Sequence, residues 1–275
     1  MQFYNIPYNN NENKKESLDL YIANKSDPNL IIFFHGGAWR SGDKSDFKFM
    51  GEIFLNFGYN ICILTYNLSN KNGEGPYHPS HTLDCSKALH WLKFNSSLYL
   101  DNVENLYLIG HSAGAQISGM IALNPETFLF PLDNGLELFN AIKGVIGVEG
   151  IFSVPQLLKT HGHIPLYRDF IRQAFTEDMK LLENGSPQLL PLSKKKNFKL
   201  APYLILHSKN DSLLNLDQPE AFMTTLNGLF DLNNDIKKDF KPEFDFDTLT
   251  EDHDEVLKSP QFFCAVINFL KKIKY

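Results

Sequence analysis

Residues 106–114 read Leu106-Tyr107-Leu108-Ile109-Gly110-His111-Ser112-Ala113-Gly114, an apolar strand-like run entering G-x-S-x-G, followed by a helix-compatible stretch over residues 115–123. Glycine lacks a Cβ, so the chain can turn sharply from strand to helix and hold Ser112 in a strained conformation with its hydroxyl presented outward. The first N–H groups of the following helix then point at whatever the serine attacks. The pentapeptide alone arises by chance in about one such chain in fifteen. Its meaning therefore depends on whether the rest of the chain supplies an acid, a base and oxyanion donors.

The flanking sequence repeats the strand–helix unit. Residues 18–23 alternate like a strand, and Leu30-Ile31-Ile32-Phe33-Phe34 is a continuous apolar run of the kind covered on both faces. Residues 45–57 have helical periodicity closed by Gly58, residues 60–66 read as a strand, and residues 80–94 as a helix whose inner stripe is Leu83, Lys87-Ala88 and Trp91-Leu92. Further strands are expected at 142–148 and 201–207, a strand-like stretch at 244–249 and a last helix at 261–272. This alternation predicts an α/β chain with a mostly parallel central sheet, helices on both faces and ligands at the carboxyl edge. Residues 153–200 break the rhythm with helical patches at 155–160 and 164–174 and a loop-like Asn184-Gly185-Ser186-Pro187. They read as a small helical lid insertion over that edge, with ordinary connecting structure as the alternative. Sheet strands continue on both sides, so residues 1–275 are expected to form a single domain.

Composition narrows the function class. A net charge of −6 argues against nucleic-acid and anionic-membrane partners, and the densest basic run, Lys194-Lys195-Lys196, is short enough to be a solvated loop face. No apolar segment reaches the ~18 residues of a membrane span, and residues 1–16 are polar and Asn-rich, unlike a secretory signal. Cys62, Cys85 and Cys264 are widely spaced and odd in number, which fits reduced, buried thiols and a cytoplasmic location better than a disulfide framework. Asn210 begins an N-x-S sequon beside the expected acid, which disfavours a glycosylated form. The 23 Phe read as core filling. A small-molecule substrate is expected, with no cofactor and no metal, and a homodimer is allowed.

The apolar strand at 30–34 ends in His35-Gly36-Gly37-Ala38-Trp39. Adjacent glycines let backbone amides face inward, and a tetrahedral intermediate needs donors about 2.7–3.1 Å from its oxyanion. Gly36, Gly37 and Ala113 are thus the oxyanion-hole candidates, and His35 and Trp39 are expected to brace the loop. Among nine histidines, His111 adjoins the serine but diverges at a sharp turn, His161 and His163 fall in the lid interval, and His78, His81 and His90 lie in or before a helix. His253 sits in a polar loop after a strand-like stretch and before the last helix. Asp211 follows the strand Leu204-Ile205-Leu206 in a polar turn. The order Ser112, Asp211, His253, each at a strand end, is that of a nucleophile, the acid that fixes a tautomer, and the general base. Asp252, Asp254 and Glu255 flank the histidine without a complete metal-ligand set.

Several of these segments resemble kynurenine formamidases, most of all the fungal members, within the α/β-hydrolase superfamily. His35-Gly36-Gly37-Ala38-Trp39 departs from the H-G-G-G of lipase-like esterases and Gly110-His111-Ser112 from their G-D-S. Both match H-G-G-x-W and G-H-S-x-G, and Glu149-Gly150-Ile151-Phe152-Ser153, His207-Ser208, Asp211-Ser212-Leu213-Leu214 and His253-Asp254-Glu255-Val256 resemble family segments. The resemblance implies an α/β-hydrolase fold and hydrolysis of N-formyl-L-kynurenine to L-kynurenine and formate in tryptophan catabolism. Candidates for touching that substrate are Trp39, Glu149 and Phe152: Phe152 with Tyr167, Phe170 and Phe175 as an apolar shelf, core packing being the alternative for each, and Glu149 with Arg168 and Arg172 for the polar end. A short-chain carboxylesterase is the runner-up, and a non-catalytic ligand-binding protein the third reading.

Overall fold

Strands β1 (Gln2–Pro7), β2 (Ser17–Tyr21), β3 (Asn29–Phe34), β4 (Ile61–Leu64), β5 (Asn105–His111), β6 (Ile142–Val148), β7 (Tyr203–Leu206) and β8 (Glu243–Asp245) form one sheet in the order β1-β2-β4-β3-β5-β6-β7-β8. The structure is a computed structural model and describes residues 1–9, 16–191, 200–232 and 240–273. The ladder is parallel from β4 through β8, while β2 pairs antiparallel with both β1 and β4. The helices are α1 (Lys48–Asn56), α2 (Ser80–Phe94), α3 (Ala113–Leu123), α4 (Pro125–Phe128), α5 (Gly135–Ala141), α6 (Val154–His161), α7 (Pro165–Phe175), α8 (Met179–Asn184), α9 (Asp217–Leu232) and α10 (Pro260–Lys272). The chain is an α/β-hydrolase-type fold, as the strand–helix alternation predicts.

Alternation along β3 shows how the layers are built. Leu30, Ile32 and Phe34 enter one apolar cluster with Ala88 and Leu92 of α2, Ile117 and Met120 of α3 and Phe222 of α9. Ile31 and Phe33 enter the other, with Met50 and Phe54 of α1 and Phe262 and Val266 of α10. Both faces of the central strands are therefore dry. Tyr167, Phe170, Ile171, Phe175 and Leu182, all from the 153–200 interval, belong to the first of these clusters. Strand order reverses around β3, whose neighbours β4 and β5 follow it in sequence on opposite sides, so a crevice opens at the carboxyl ends of β3 and β5.

The structure departs from the sequence expectations in identifiable ways. Strand β1 was not foreseen: Phe3 and Ile6 do not alternate cleanly because the β1–β2 register shifts between them, where Asn5 takes φ 57°. Helix α2 buries Ala88 and Leu92 of the expected stripe together with Cys85 and Leu89, but not Leu83 or Lys87: Leu83 is exposed and Lys87 reaches Asp84 at 3.2 Å. Its buried face carries polar groups that the loop before it satisfies, Ser69 Oγ lying 2.9 Å from His81 Nε2 and Asn67 Nδ2 donating to Asp84 at 2.9 Å. Polarity therefore misreports the inward side. Cys62 and Cys85 are buried, but Cys264 is exposed on α10. Residues 44–47 form a 3-10 turn capped by Asp43 before α1 begins. The Lys194-Lys195-Lys196 run lies outside the described residues. Among those described, no helix is long and apolar enough to cross a membrane.

All eleven residues of α3 are buried, and its N-terminus is pressed onto the end of β3. A Cβ on Gly114 would lie 2.0 Å from the carbonyl oxygen of Phe34. Gly114→Ala is therefore expected to force α3 off the sheet and to destabilise the fold by about 3 kcal/mol. The check is the midpoint of urea unfolding; a midpoint equal to that of the unaltered protein would show that the helix can move aside.

Candidate active site

Ser112 occupies the turn from β5 into α3 with φ 53° and ψ −118°, a conformation that L-residues rarely adopt. The turn is closed by Gly110, where a Cβ would come within 2.3 Å of the Gly114 carbonyl oxygen, and by the Ser112 amide, which donates to Val148 at 2.9 Å. Only 6% of Ser112 is exposed.

His253 comes from the loop before α10 and Asp211 from the turn after β7. The His253 Nδ1–H donates to Asp211 Oδ2 at 2.7 Å, which leaves the Nε2 lone pair free to accept a proton. Asp211 Oδ1 in turn accepts from the Leu213 and Leu214 amides at 2.8 and 2.9 Å. Burial alone would push the Asp211 carboxyl up, but hydrogen bonds from His253, Glu149 and the Leu214 amide outweigh it and hold the group down at about 2. Asp252 clamps the two loops together, accepting from the Ser212 and His253 amides at 2.8 Å each and from Ser212 Oγ at 3.0 Å. No hydrogen bond joins Ser112 to His253 among the described residues, a separation common before substrate arrives.

His111 does not turn toward the crevice. It is buried, and its Nε2–H donates to the His253 carbonyl at 3.0 Å, tying the serine strand to the histidine loop. Burial first, then repulsion by His253, lowers its pKa to about 3, so it is a neutral ring at physiological pH.

Across the crevice, the loop after β3 carries positive φ at Gly37 (96°), Ala38 (51°) and Trp39 (60°). The Gly37 carbonyl accepts from the Arg40 and Ser41 amides at 3.1 and 3.0 Å, and the ring of His35 stacks on Tyr66 at 4.6 Å while its Nδ1–H donates to Gly36 at 2.7 Å. Gly36 lies against the serine: a Cβ there would be 2.9 Å from Ser112 Cβ. The amides of Gly36, Gly37 and Ala113 have no hydrogen-bond acceptor among the described residues.

The three residues expected to touch substrate are enclosed by protein. Trp39 is 0% exposed, donates from Nε1 to Gln116 at 2.9 Å and packs edge-on against Phe175. Phe152 stacks on Phe222 with centroids 4.3 Å apart. Glu149 is also 0% exposed and faces Asp211 and His207. Arg168 and Arg172 line a surface pocket of α7 with Lys159 and His163. Tyr167 and Phe170 are buried near the candidate residues: Tyr167 OH donates to the Leu213 carbonyl beside Asp211 at 2.7 Å, and the Phe170 ring is 6.3 Å from that of Trp39. Arg40, which sequence reasoning passed over, extends from the glycine loop to Gln173 at 3.2 Å, with its guanidinium over Phe170. Its position directly after H-G-G-x-W was the available signal.

Glu149, Asp211 and His253 each bring one donor atom within 4.8 Å of the others, as do His111, His253 and Asp254. Within these groups His253 Nδ1 is already hydrogen-bonded to Asp211 Oδ2, and His111 Nε2 to the His253 backbone carbonyl.

Known proteins place this arrangement in context. The BD-FAE family model matches residues 18–226. A kynurenine formamidase of Meyerozyma guilliermondii is 27% identical over 210 residues, 74% of each chain, and one of Danio rerio is 27% identical over 223 residues, 80% of this chain and 67% of that protein. A probable carboxylic ester hydrolase of Mycobacterium tuberculosis is 26% identical over 203 residues, 72% of this chain and 44% of that protein. Among solved structures, esterase B of Lactobacillus rhamnosis superposes with a TM-score of 0.74 at 17% identity, covering 99% of this chain and 86% of that one.

Proposed function

Because this chain belongs to the BD-FAE family of α/β-hydrolase type, we propose that it is a serine hydrolase of small acyl amides, converting N-formyl-L-kynurenine to L-kynurenine and formate. The chain is read as one domain, with residues 153–200 as a lid. The observation that carries the substrate is the similarity to kynurenine formamidases over about three quarters of both chains. The near-complete enclosure of Ser112 fits it, since a formyl group has no side chain to accommodate.

In this reading His253 Nε2 takes the Ser112 proton as Oγ attacks the formyl carbon, and the developing oxyanion is received by the amides of Gly36, Gly37 and Ala113. Asp211 fixes the tautomer that makes Nε2 the acceptor and stabilises the imidazolium. The imidazolium then protonates the departing arylamine nitrogen, the C–N bond breaks, and a formyl ester of Ser112 remains. Water attacks that ester with His253 again as base, releasing formate and restoring the serine. Tyr167 and Phe170 supply the apolar shelf for the arylamine ring.

A short-chain carboxylesterase is the second reading, favoured by the relative named a carboxylic ester hydrolase. The two separate on kcat/KM for N-formylkynurenine against p-nitrophenyl acetate and butyrate. At least about tenfold preference for the formamide, roughly 1.4 kcal/mol of transition-state binding, is expected; preference for the simple esters would overturn the formamidase assignment.

A further inference from the structure

Behind the Asp211–His253 pair lies a second carboxyl–imidazole pair that the reaction scheme leaves unused. Glu149 ends β6 with φ 46°, and His207 follows β7; both are 0% exposed. Glu149 Oε1 accepts from the Ser208 amide at 2.8 Å, and Glu149 Oε2 lies 3.1 Å from His207 Nδ1. These two facing atoms have no other partner. The opposite ring nitrogen, His207 Nε2, is 3.0 Å from the Leu214 carbonyl, which can only accept, so Nε2 carries a proton. In a neutral ring, Nδ1 then presents a lone pair to Glu149 Oε2. Two lone-pair atoms at that separation repel unless a proton lies between them or on the carboxyl. Burial disfavours an imidazolium at His207 and lowers its pKa.

The remaining groups facing the Glu149 carboxyl point the same way. Asp211 and Asp252 are carboxylates, and His253 already gives its Nδ1 proton to Asp211. A charged Glu149 would be a second buried anion beside Asp211, without a cation of its own.

We infer that Glu149 is a neutral carboxylic acid in the working protein, its single proton given to one of its two neighbours, His207 or Asp211, and that it acts as a positioning residue for the Asp211–His253 pair. The inference rests on the triad reading above. With its proton, Glu149 is uncharged and leaves one negative charge, that of Asp211, behind His253. Without it, two carboxylates would over-stabilise the imidazolium, and His253 would stay protonated when it is needed as a base. Burial, followed by interaction with Asp211, raises the Glu149 pKa to about 10, in accord with this geometry.

The linkage consequence has a definite sign. A carboxyl raised from 4.5 in the open chain to about 10 in the fold favours the folded state fully below the lower value and loses that advantage as pH rises toward the upper one. Glu149→Gln keeps an acceptor for Ser208 and a donor for Asp211 or His207 but cannot ionise. The ratio of unfolding constants, wild type over E149Q, is therefore expected to climb by up to about tenfold per pH unit between about pH 5 and 9. In the pH profile of kcat/KM, E149Q should keep the acidic limb in place and recover most of the rate that Glu149→Ala loses. A flat stability ratio, or an acidic limb displaced downward in E149Q, would mean an ionised Glu149 and overturn the inference. Should the variants not fold, ¹³C-carboxyl glutamate labelling of the wild type decides: one glutamate carbon must keep its protonated shift above about pH 8, and none doing so overturns it. The stability and labelling readouts do not require turnover, so failure of the hydrolase reading is distinguishable from failure of this one.

Discussion

Ser112→Ala is expected to lower kcat by about 10⁵-fold on any substrate that the protein hydrolyses, while leaving the fold intact. The asymmetry follows from what the hydroxyl does in the resting structure. It makes no hydrogen bond among the described residues, so its removal orphans no partner. Alanine pays a positive-φ cost similar to that of serine at 53°. What disappears is the atom that forms the acyl-enzyme in the proposed mechanism. The measurement pairs turnover with thermal unfolding, and undiminished turnover in a folded variant would remove Ser112 from the mechanism.

The second large effect is expected from Asp211→Asn, about 10⁴-fold in kcat. Asparagine is nearly isosteric, and its carbonyl can still accept from the Leu213 and Leu214 amides at the Oδ1 position. Its NH₂ then occupies the place of Oδ2, 2.7 Å from His253 Nδ1. A donor there obliges Nδ1 to be the lone pair and moves the proton to Nε2, the atom that accepts from Ser112 in the proposed mechanism. The ring keeps its place and loses its function. Normal turnover in this variant would mean that His253 is oriented by something other than Asp211.

Much of this arrangement was legible because the signals are local. A serine between glycines after an apolar run specifies a turn, and polar residues closing apolar strands specify the edge to which the sheet delivers them. That is how Asp211 and His253, 42 residues apart, were paired in advance of their 2.7 Å contact. Helix α2 resisted the same treatment, because its inward face is lined with polar groups satisfied by residues 67–69, and a hydrophobicity pattern cannot register a distant hydrogen-bond partner. Strand β1 was hidden by its register shift at Asn5. Glu149 was legible as a residue of interest but not in its setting. Its surroundings come from β7 and the loop before α10, which are separate segments of sequence, and only the parallel pairing of β6 with β7 sets Glu149 beside His207.

Helix α3 has no exposed residue along its length. Opening it locally would uncover the centre of the protein, so its amides can reach solvent only when the whole molecule opens. The turn that presents Ser112 is anchored to that helix and shares its fate. Warming should therefore give no interval in which the fold persists with a loosened serine: reactivity and structure are lost in one event.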